Sequence, residues 1–203
     1  MSRPRSLTRS ALRSFPLPPI EDGGKDSKGR VLVIAGSPRL PGAVILVANA
    51  AMRAGAGKVR VATVESAAVA IGVAVPEAMA IGLPEARDGG FRRAVFTTIR
   101  EQADGADVVV AGPGMARSKS CAAIAEALLD GPAPLIFDAA MLHSLPQRAS
   151  RTGATPILLP HSGELAALLD RAEKEIDRDP VGCGLRAAGR HRAILLGKGA
   201  TRH

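Results

Sequence analysis

The chain has 203 residues, 46% of them hydrophobic, which is enough for the core of one compact domain. Its net charge is +8, but the basic residues are scattered and form no block of like charge. Because there is no Trp or Tyr to stack on unpaired bases, a nucleic-acid partner is not expected.

Residues 1–29 are predicted to form an arm or linker, and residues 30–203 a single domain. The first 15 residues contain four Arg and no acid, a pattern that is also found in organelle transit peptides. We interpret them instead as a short amphipathic lead-in whose apolar side chains, Leu7, Leu12 and Phe15, dock on the domain. Residues 16–29 are rich in Pro, Gly and charge, and an apolar run then begins abruptly at Arg30.

From residue 30 onwards, short apolar runs alternate with helical patterns. Strands are predicted at 30–35, 58–64, 78–83, 107–112, 134–139, 155–160 and 193–197. Helices are predicted at 43–55, 65–75, 92–103, 120–130 and 163–176. This alternation predicts an α/β fold of three layers, with a central, mostly parallel sheet covered by helices on both faces.

The cysteines and the apolar segments favour a cytoplasmic location. Cys121 and Cys183 belong to no CxxC or metal-ligand pattern, which indicates a reducing compartment. No segment reaches the roughly 18 consecutive apolar residues that a membrane span requires, so no membrane partner is expected.

Five loops follow predicted strands and are the candidates for a site. In an open α/β sheet, ligands bind at the carboxyl ends of the strands, so these loops are expected to meet at one edge. They are GSPRLPGA (36–43), GPGMARS (112–118), DAAMLH (138–143), PHSGE (160–164) and GKGAT (197–201). The first lacks the ending of a Walker loop, but its glycines and the following helix could hold an anion or simply make a turn.

Four side chains in these loops could do chemistry, and each also has a structural explanation. His161 could bind an amide or phosphate, or be a polar turn residue. Glu164 could help to hold Mg²⁺ through water, or favour the start of a helix. Asp138 could bind a metal, act as a base or cap a turn. Lys198 suits a phosphate, or is a surface lysine in a tight turn.

The order of these motifs resembles that of the ADP/ATP-dependent NAD(P)H-hydrate dehydratases, which are ribokinase-like α/β proteins. The resemblance covers about residues 25–201. It is carried by GKDSKGRVLVIAGSPRLPGAVILVANAAMRAGAGKVRVATV, VPEAMAIGLPE, VVVAGPGM, LIFDAAMLHSL, LLPHSGELAALL and LLGKGAT.

The resemblance implies a reaction and a set of site residues. A hydrated, damaged NADH or NADPH is dehydrated to the normal cofactor with ADP or ATP as phosphate donor. Ala43, Gly114 and His161 would contact the hydrated nicotinamide nucleotide, and Glu164 would be the acidic residue near Mg²⁺. The adenine-nucleotide site would begin with Lys198, Gly199, Ala200 and Thr201.

One motif of the family has no counterpart in these residues. Family members carry a GTGD segment, whose glycines form an anion hole and whose aspartate is the base on the substrate hydroxyl; the chain contains no GTGD. We therefore assign no catalytic residue and expect a C-terminally truncated ribokinase-like fold. Each missing function is worth roughly 10²–10⁴ in rate, so we expect little catalysis by this chain alone.

Two alternatives remain open at this point. A ribokinase-like small-molecule kinase shares the fold and the loop before Glu164, although the AGSPRLPGA loop favours the dehydratase. A non-catalytic chain could bind nucleotide or serve as a subunit of an assembly. An incomplete sheet would expose an unpaired edge, which is compatible with a homo-oligomer.

Overall fold

The computed structural model describes residues 7–16, 24–25, 27–146 and 153–199. Seven parallel strands form one sheet in the order β3-β2-β1-β4-β5-β6-β7. The strands are β1 (Arg30–Ile34), β2 (Lys58–Val64), β3 (Met79–Leu83), β4 (Val108–Ala111), β5 (Leu135–Phe137), β6 (Ile157–Leu158) and β7 (Ile194–Leu195). The predicted α/β fold with a parallel sheet is confirmed.

Helices on both faces complete the three layers. The helices are α1 (Arg9–Leu12), α2 (Gly42–Arg53), α3 (Glu65–Ala74), α4 (Phe96–Asp104), α5 (Ser120–Leu129), α6 (Ser162–Leu169), α7 (Glu173–Arg178) and α8 (Pro180–His191), with 3-10 turns at Arg93–Val95 and Ala139–Ser144. Helices α2 and α3 pack on each other and on β1 to β3, whereas α4 packs on α5. Because parallel crossovers are right-handed, the change of direction after β3 puts these two pairs on opposite faces.

The central strands are buried on both sides, which explains their uninterrupted apolar sequence. Leu32, Val33 and Ile34 of β1 are completely inaccessible to solvent, and so is Phe137 of β5. A second, smaller apolar cluster joins α6, α7 and α8. Small branched side chains thus fill a layered core that needs few aromatic residues.

The region after β6 differs from the prediction. The single helix predicted at 163–176 is wrong, because Asp170 adopts a left-handed conformation with φ of 55° and ends α6. Asp is one of the few residues that adopt this conformation readily. Helix α8 was not predicted; its glycines lower helix propensity, but the Asp179 carboxylate caps it by accepting the N–H of Gly182 at 2.8 Å.

The N-terminal segment also differs. Leu7, Leu12 and Phe15 are all exposed, so their predicted docking on the domain is wrong. Among the residues that the structure describes, no helix is both long and apolar enough to cross a membrane.

The strand order places the site. From β1 the chain adds β2 and β3 on one side of the sheet and then β4 to β7 on the other, so the direction of strand addition changes between β1 and β4. In open α/β sheets, ligands bind in the crevice beyond such a change. There the Gly36 N–H donates to the Pro113 carbonyl at 2.9 Å, and the Gly112 N–H donates to Ile34 at 3.0 Å. The loops after β1 and β4 are therefore joined at this crevice.

Candidate functional site

Ala43 and Gly114, which were predicted to contact the nicotinamide nucleotide, lie against each other. Gly114 has a φ of 67°, and a Cβ built on it would lie 2.6 Å from the Leu40 carbonyl oxygen and 2.8 Å from Ala43 Cβ. Only glycine fits this position, because a side chain would be both strained and overlapping. The two loops thus form a narrow floor at the crevice, which carries only the methyl group of Ala43 at this point.

His161 and Glu164 form a reciprocal cap at the start of α6. The Nδ1 atom of His161 accepts the N–H groups of Gly163 at 3.0 Å and Glu164 at 3.4 Å. In return, Glu164 Oε2 accepts the His161 N–H at 2.9 Å. Since Nδ1 accepts these bonds, Nε2 is the ring nitrogen that carries a hydrogen; it lies 3.4 Å from Glu164 Oε1, and the side chain is more than half exposed, at 55%. His161 therefore presents an N–H donor at the edge of the sheet.

Lys198 joins this cap from the end of β7. Its N–H donates to the Pro160 carbonyl at 2.7 Å, which places it beside His161. Its ammonium lies 2.5 Å from Asp138 Oδ1 and 3.9 Å from Glu164 Oε2. Because the Glu164 side chain is 6% exposed and the Lys198 side chain 35%, the lysine is the more accessible of these two charged residues.

The glycine floor and the charged cluster belong to one continuous edge. Gly112 has a φ of 120°, and a Cβ on it would lie 1.8 Å from the Asp138 carbonyl oxygen. The loop after β4 therefore packs directly on the loop after β5. The sequence prediction that the five loops converge agrees with this geometry, and Asp138 both caps the following turn and pairs with Lys198.

Two residues at this edge, His143 and Arg117, were not predicted as site residues. Burial lowers the pKa of His143 from its ordinary 6.5, and the charge of Arg117 lowers it further, while Glu164 acts in the opposite direction. The His143 Nε2 atom is buried and has no hydrogen-bond partner among the described residues. Both residues lie within or beside quoted loops, but their proximity depends on the fold.

Glu164 was predicted to be the acidic residue near Mg²⁺. The groups around it suit only a site in which a bound nucleotide supplies some of the ligands. Within the described ranges, no group of three or more His, Cys, Asp or Glu side chains could hold a metal ion. Mg²⁺ is commonly held by one or two carboxylates together with water and substrate phosphates. Among the described residues, any such ion would therefore need ligands from a bound nucleotide.

An apolar cavity opens beside Lys198. Its volume is about 500 Å³, and it is lined by side chains of α6, α7, α8 and β7, among them Leu165, Ile176, Val181 and Leu195. Lys198 and Gly199 stand at one end of it. Two further residues predicted for the nucleotide site, Ala200 and Thr201, lie outside the described residues.

Comparisons with known proteins agree with the motif order. A model of a family described as NAD(P)H-hydrate dehydratase matches residues 31–202. An ADP-dependent (S)-NAD(P)H-hydrate dehydratase of Xanthomonas campestris is 38% identical over 199 residues, which cover 98% of the chain and 68% of that relative. A bifunctional NAD(P)H-hydrate repair enzyme of Moorella thermoacetica is 35% identical over 201 residues, or 97% of the chain and 38% of the relative.

Solved structures agree as well. An ADP/ATP-dependent NAD(P)H-hydrate dehydratase from Bacillus subtilis, co-crystallised with ATP and Mg²⁺, has a TM-score of 0.77 and 25% identity, and the match covers 96% of the chain and 66% of that structure. A ribokinase-like protein from Enterococcus faecalis has a TM-score of 0.77 and 21% identity, which bears on the fold alone. The ribokinase-like fold is confirmed, and the kinase alternative is not favoured.

Proposed function

The chain belongs to the NAD(P)H-hydrate dehydratase family, and we propose that its sheet edge binds hydrated NADH or NADPH for dehydration with ADP or ATP. The observation that carries this proposal is the convergence at one edge of the Ala43–Gly114 floor and the His161–Glu164–Lys198 cluster. The chain spans about two thirds of the Xanthomonas and Bacillus relatives, so the activity is proposed for the site and not inferred from the length.

The proposed reaction has two steps. The oxygen of the ring hydroxyl attacks the terminal phosphorus of ADP or ATP, the bond to the bridging oxygen breaks, and the hydroxyl proton leaves to a base. The ring carbon–oxygen bond then breaks as phosphate departs, and the neighbouring carbon loses a proton to form the double bond. Water is removed in total at the expense of one phosphoanhydride bond.

The nicotinamide side of the site would use the floor and the exposed imidazole. The absence of side chains at Gly114 and the single methyl of Ala43 leave room for a flat ring close to the backbone. Since Nδ1 is occupied by the cap, the Nε2–H of His161 would donate to an oxygen of the bound nucleotide, in competition with Glu164 Oε1 at 3.4 Å. This arrangement would orient the ring.

The nucleotide side would use Lys198 and Glu164, with Gly199, Ala200 and Thr201 continuing the site. The ammonium would bind phosphate oxygens as a compact charge. Glu164 would hold Mg²⁺, which neutralises charge on the phosphates when it is bound. The proposal includes both ADP and ATP as phosphate donors.

We also propose self-association through the β3 edge. Val69 and Val73 of α3 and Met79 of β3 are exposed by 80%, 78% and 62%. No charged residue occurs between Ser66 and Pro76, so two copies could meet there without the repulsion that a net charge of +8 creates elsewhere.

The proposal includes no nucleic-acid partner. It places the protein in the cytoplasm, because Cys121 and Cys183 are both free.

The test combines binding with turnover. Hydrated NADH, ADP or ATP, and Mg²⁺ are mixed with the chain, and the return of the near-ultraviolet absorbance of NADH is followed beside the Xanthomonas relative. We expect nucleotide-dependent return that is at least roughly 100-fold slower than that of the relative, because no GTGD aspartate is present. Return without nucleotide, or failure to bind both hydrated NADH and nucleotide, contradicts the proposal.

A further inference from the structure

The ammonium of Lys198 is paired with a residue from the loop after β5, a strand that is not adjacent to β7 in the sheet. Its partner Asp138 is 60 positions away in the sequence, and the two are 2.5 Å apart. Asp138 follows β5 and Lys198 follows β7, while β6 lies between these strands. The ion pair therefore reaches across the end of β6, and its ammonium lies 3.9 Å from Glu164 Oε2.

Backbone contacts fix the position of Asp138 at the end of β5. Its N–H donates to Ala111 at 3.0 Å, and its Oδ1 accepts the N–H of Ala139 at 2.8 Å. Ala139 has a φ of 48°, a conformation that residues other than glycine rarely adopt. The carbonyl of Asp138 packs on Gly112 with no room for a side chain on that glycine. The direction of the Asp138 carboxylate is thus set by backbone contacts from β4 and β5.

Lys198 lacks comparable support from its own strand. Strand β7 is two residues long and forms the edge of the described sheet. The lysine side chain has a flexible four-carbon stem, and fixing it in one rotamer loses more entropy than for most side chains. A rigid carboxylate at hydrogen-bond distance counteracts this freedom. Since an ammonium has three N–H donors, one bond to Asp138 leaves others for a ligand.

We propose that Asp138 is a positioning residue that holds the Lys198 ammonium in place for the phosphates of an adenine nucleotide. This inference rests on the proposed nucleotide site. Asp138 acts through Lys198 and does not itself touch the phosphates. Its own negative charge repels a phosphate, so its removal has two opposed effects, and the positioning effect is the larger one in this account.

The test measures binding of ADP with Mg²⁺ to the whole chain by titration calorimetry. Asp138→Asn keeps the size and the turn cap but loses the charge. The control is Asp107→Asn, which breaks the 2.9 Å pair with Arg30 at the opposite, amino-terminal edge of the sheet. We expect Asp138→Asn to raise the Kd about tenfold, and Asp107→Asn to change it by less than about twofold. Asp138→Glu, which keeps the charge, should restore part of the affinity.

A double-variant cycle separates positioning from a general structural effect. In a Lys198→Ala background, Asp138→Asn should not raise the Kd, because the residue through which it acts is gone and only the relief of its repulsion on the phosphates remains. A rise in Kd that is equally large in that background overturns the inference, and so does unchanged or tighter binding by Asp138→Asn alone. If the wild-type chain binds no ADP, the proposed nucleotide site itself fails and the inference fails with it.

Discussion

His161 and Glu164 each accept a hydrogen bond from the backbone N–H of the other, at 3.4 and 2.9 Å. This reciprocal cap begins α6 and occupies Nδ1 of the imidazole, while Nε2 lies 3.4 Å from Glu164 Oε1 on a side chain that is more than half exposed. A residue predicted for substrate binding is therefore also part of the fold. The two roles can be separated by substitution.

His161→Ala and His161→Asn should differ in stability but not in substrate binding. Alanine cannot cap α6 and should lower the free energy of unfolding by about 1 kcal/mol, whereas asparagine is among the best capping residues and should lose little. Both variants lack the Nε2 donor and should bind hydrated NADH about tenfold more weakly. Urea unfolding and binding titrations measure the two effects. Wild-type affinity in His161→Asn would refute the ligand role, and equal destabilisation of the two variants would refute the cap.

Gly114→Ala should damage both folding and binding. The positive φ and the overlap with Leu40 and Ala43 predict a loss of about 2 kcal/mol or more in the free energy of unfolding. The matched control is Gly189→Ala in α8, where a Cβ meets no atom within 4 Å. That change should stabilise the chain by about 0.5–1 kcal/mol. A neutral Gly114→Ala variant would contradict the narrow floor.

The stability of the chain should fall as the pH drops below neutrality. Burial lowers the pKa of His191 from 6.5, a backbone hydrogen bond with Leu168 opposes this, and Arg190 lowers it further. The pKa of His143 is lowered as well. Between the lowered folded value and the ordinary value, the unfolded chain binds more protons than the folded chain does. The stabilisation is therefore complete above pH 6.5 and is lost as the pH falls through the folded pKa.

Urea unfolding at several pH values checks this sign. The free energy of unfolding should decrease from about pH 7.5 to about pH 5.5, and less steeply in His191→Gln. Stability that rises on acidification over this range would show that the histidines are not buried in their neutral form.

The β3 edge predicts concentration-dependent association. Val73→Glu places a charge in the uncharged surface of α3 and should shift the chain towards monomer in size-exclusion chromatography with light scattering. Leu7→Glu is the control, because Leu7 is also exposed but lies in the N-terminal segment. A wild-type chain that is monomeric at all concentrations would refute this surface.

The sequence predicted the strands and the converging loops because β-branched runs and glycine turns are local signals. It could not predict the break at Asp170, since a left-handed residue within an apolar helical pattern is recognised only by its φ. Helix α8 was not predicted because its glycines have low helix propensity. The packing of Cys183 and Ala187 in the apolar cluster outweighs this low propensity. The Asp138–Lys198 pair and the approach of His143 to Glu164 depend on strand order, which no local pattern contains.

The central claim is that the converging loops form one site for hydrated NADH and an adenine nucleotide. Its most direct test is a binding titration of hydrated NADH with and without ADP and Mg²⁺, on the wild-type chain and on Gly114→Ala. We expect saturable binding of hydrated NADH in preference to NADH, and loss of that binding in Gly114→Ala. Equal affinity for NADH and its hydrate, or binding that survives in Gly114→Ala, would contradict it.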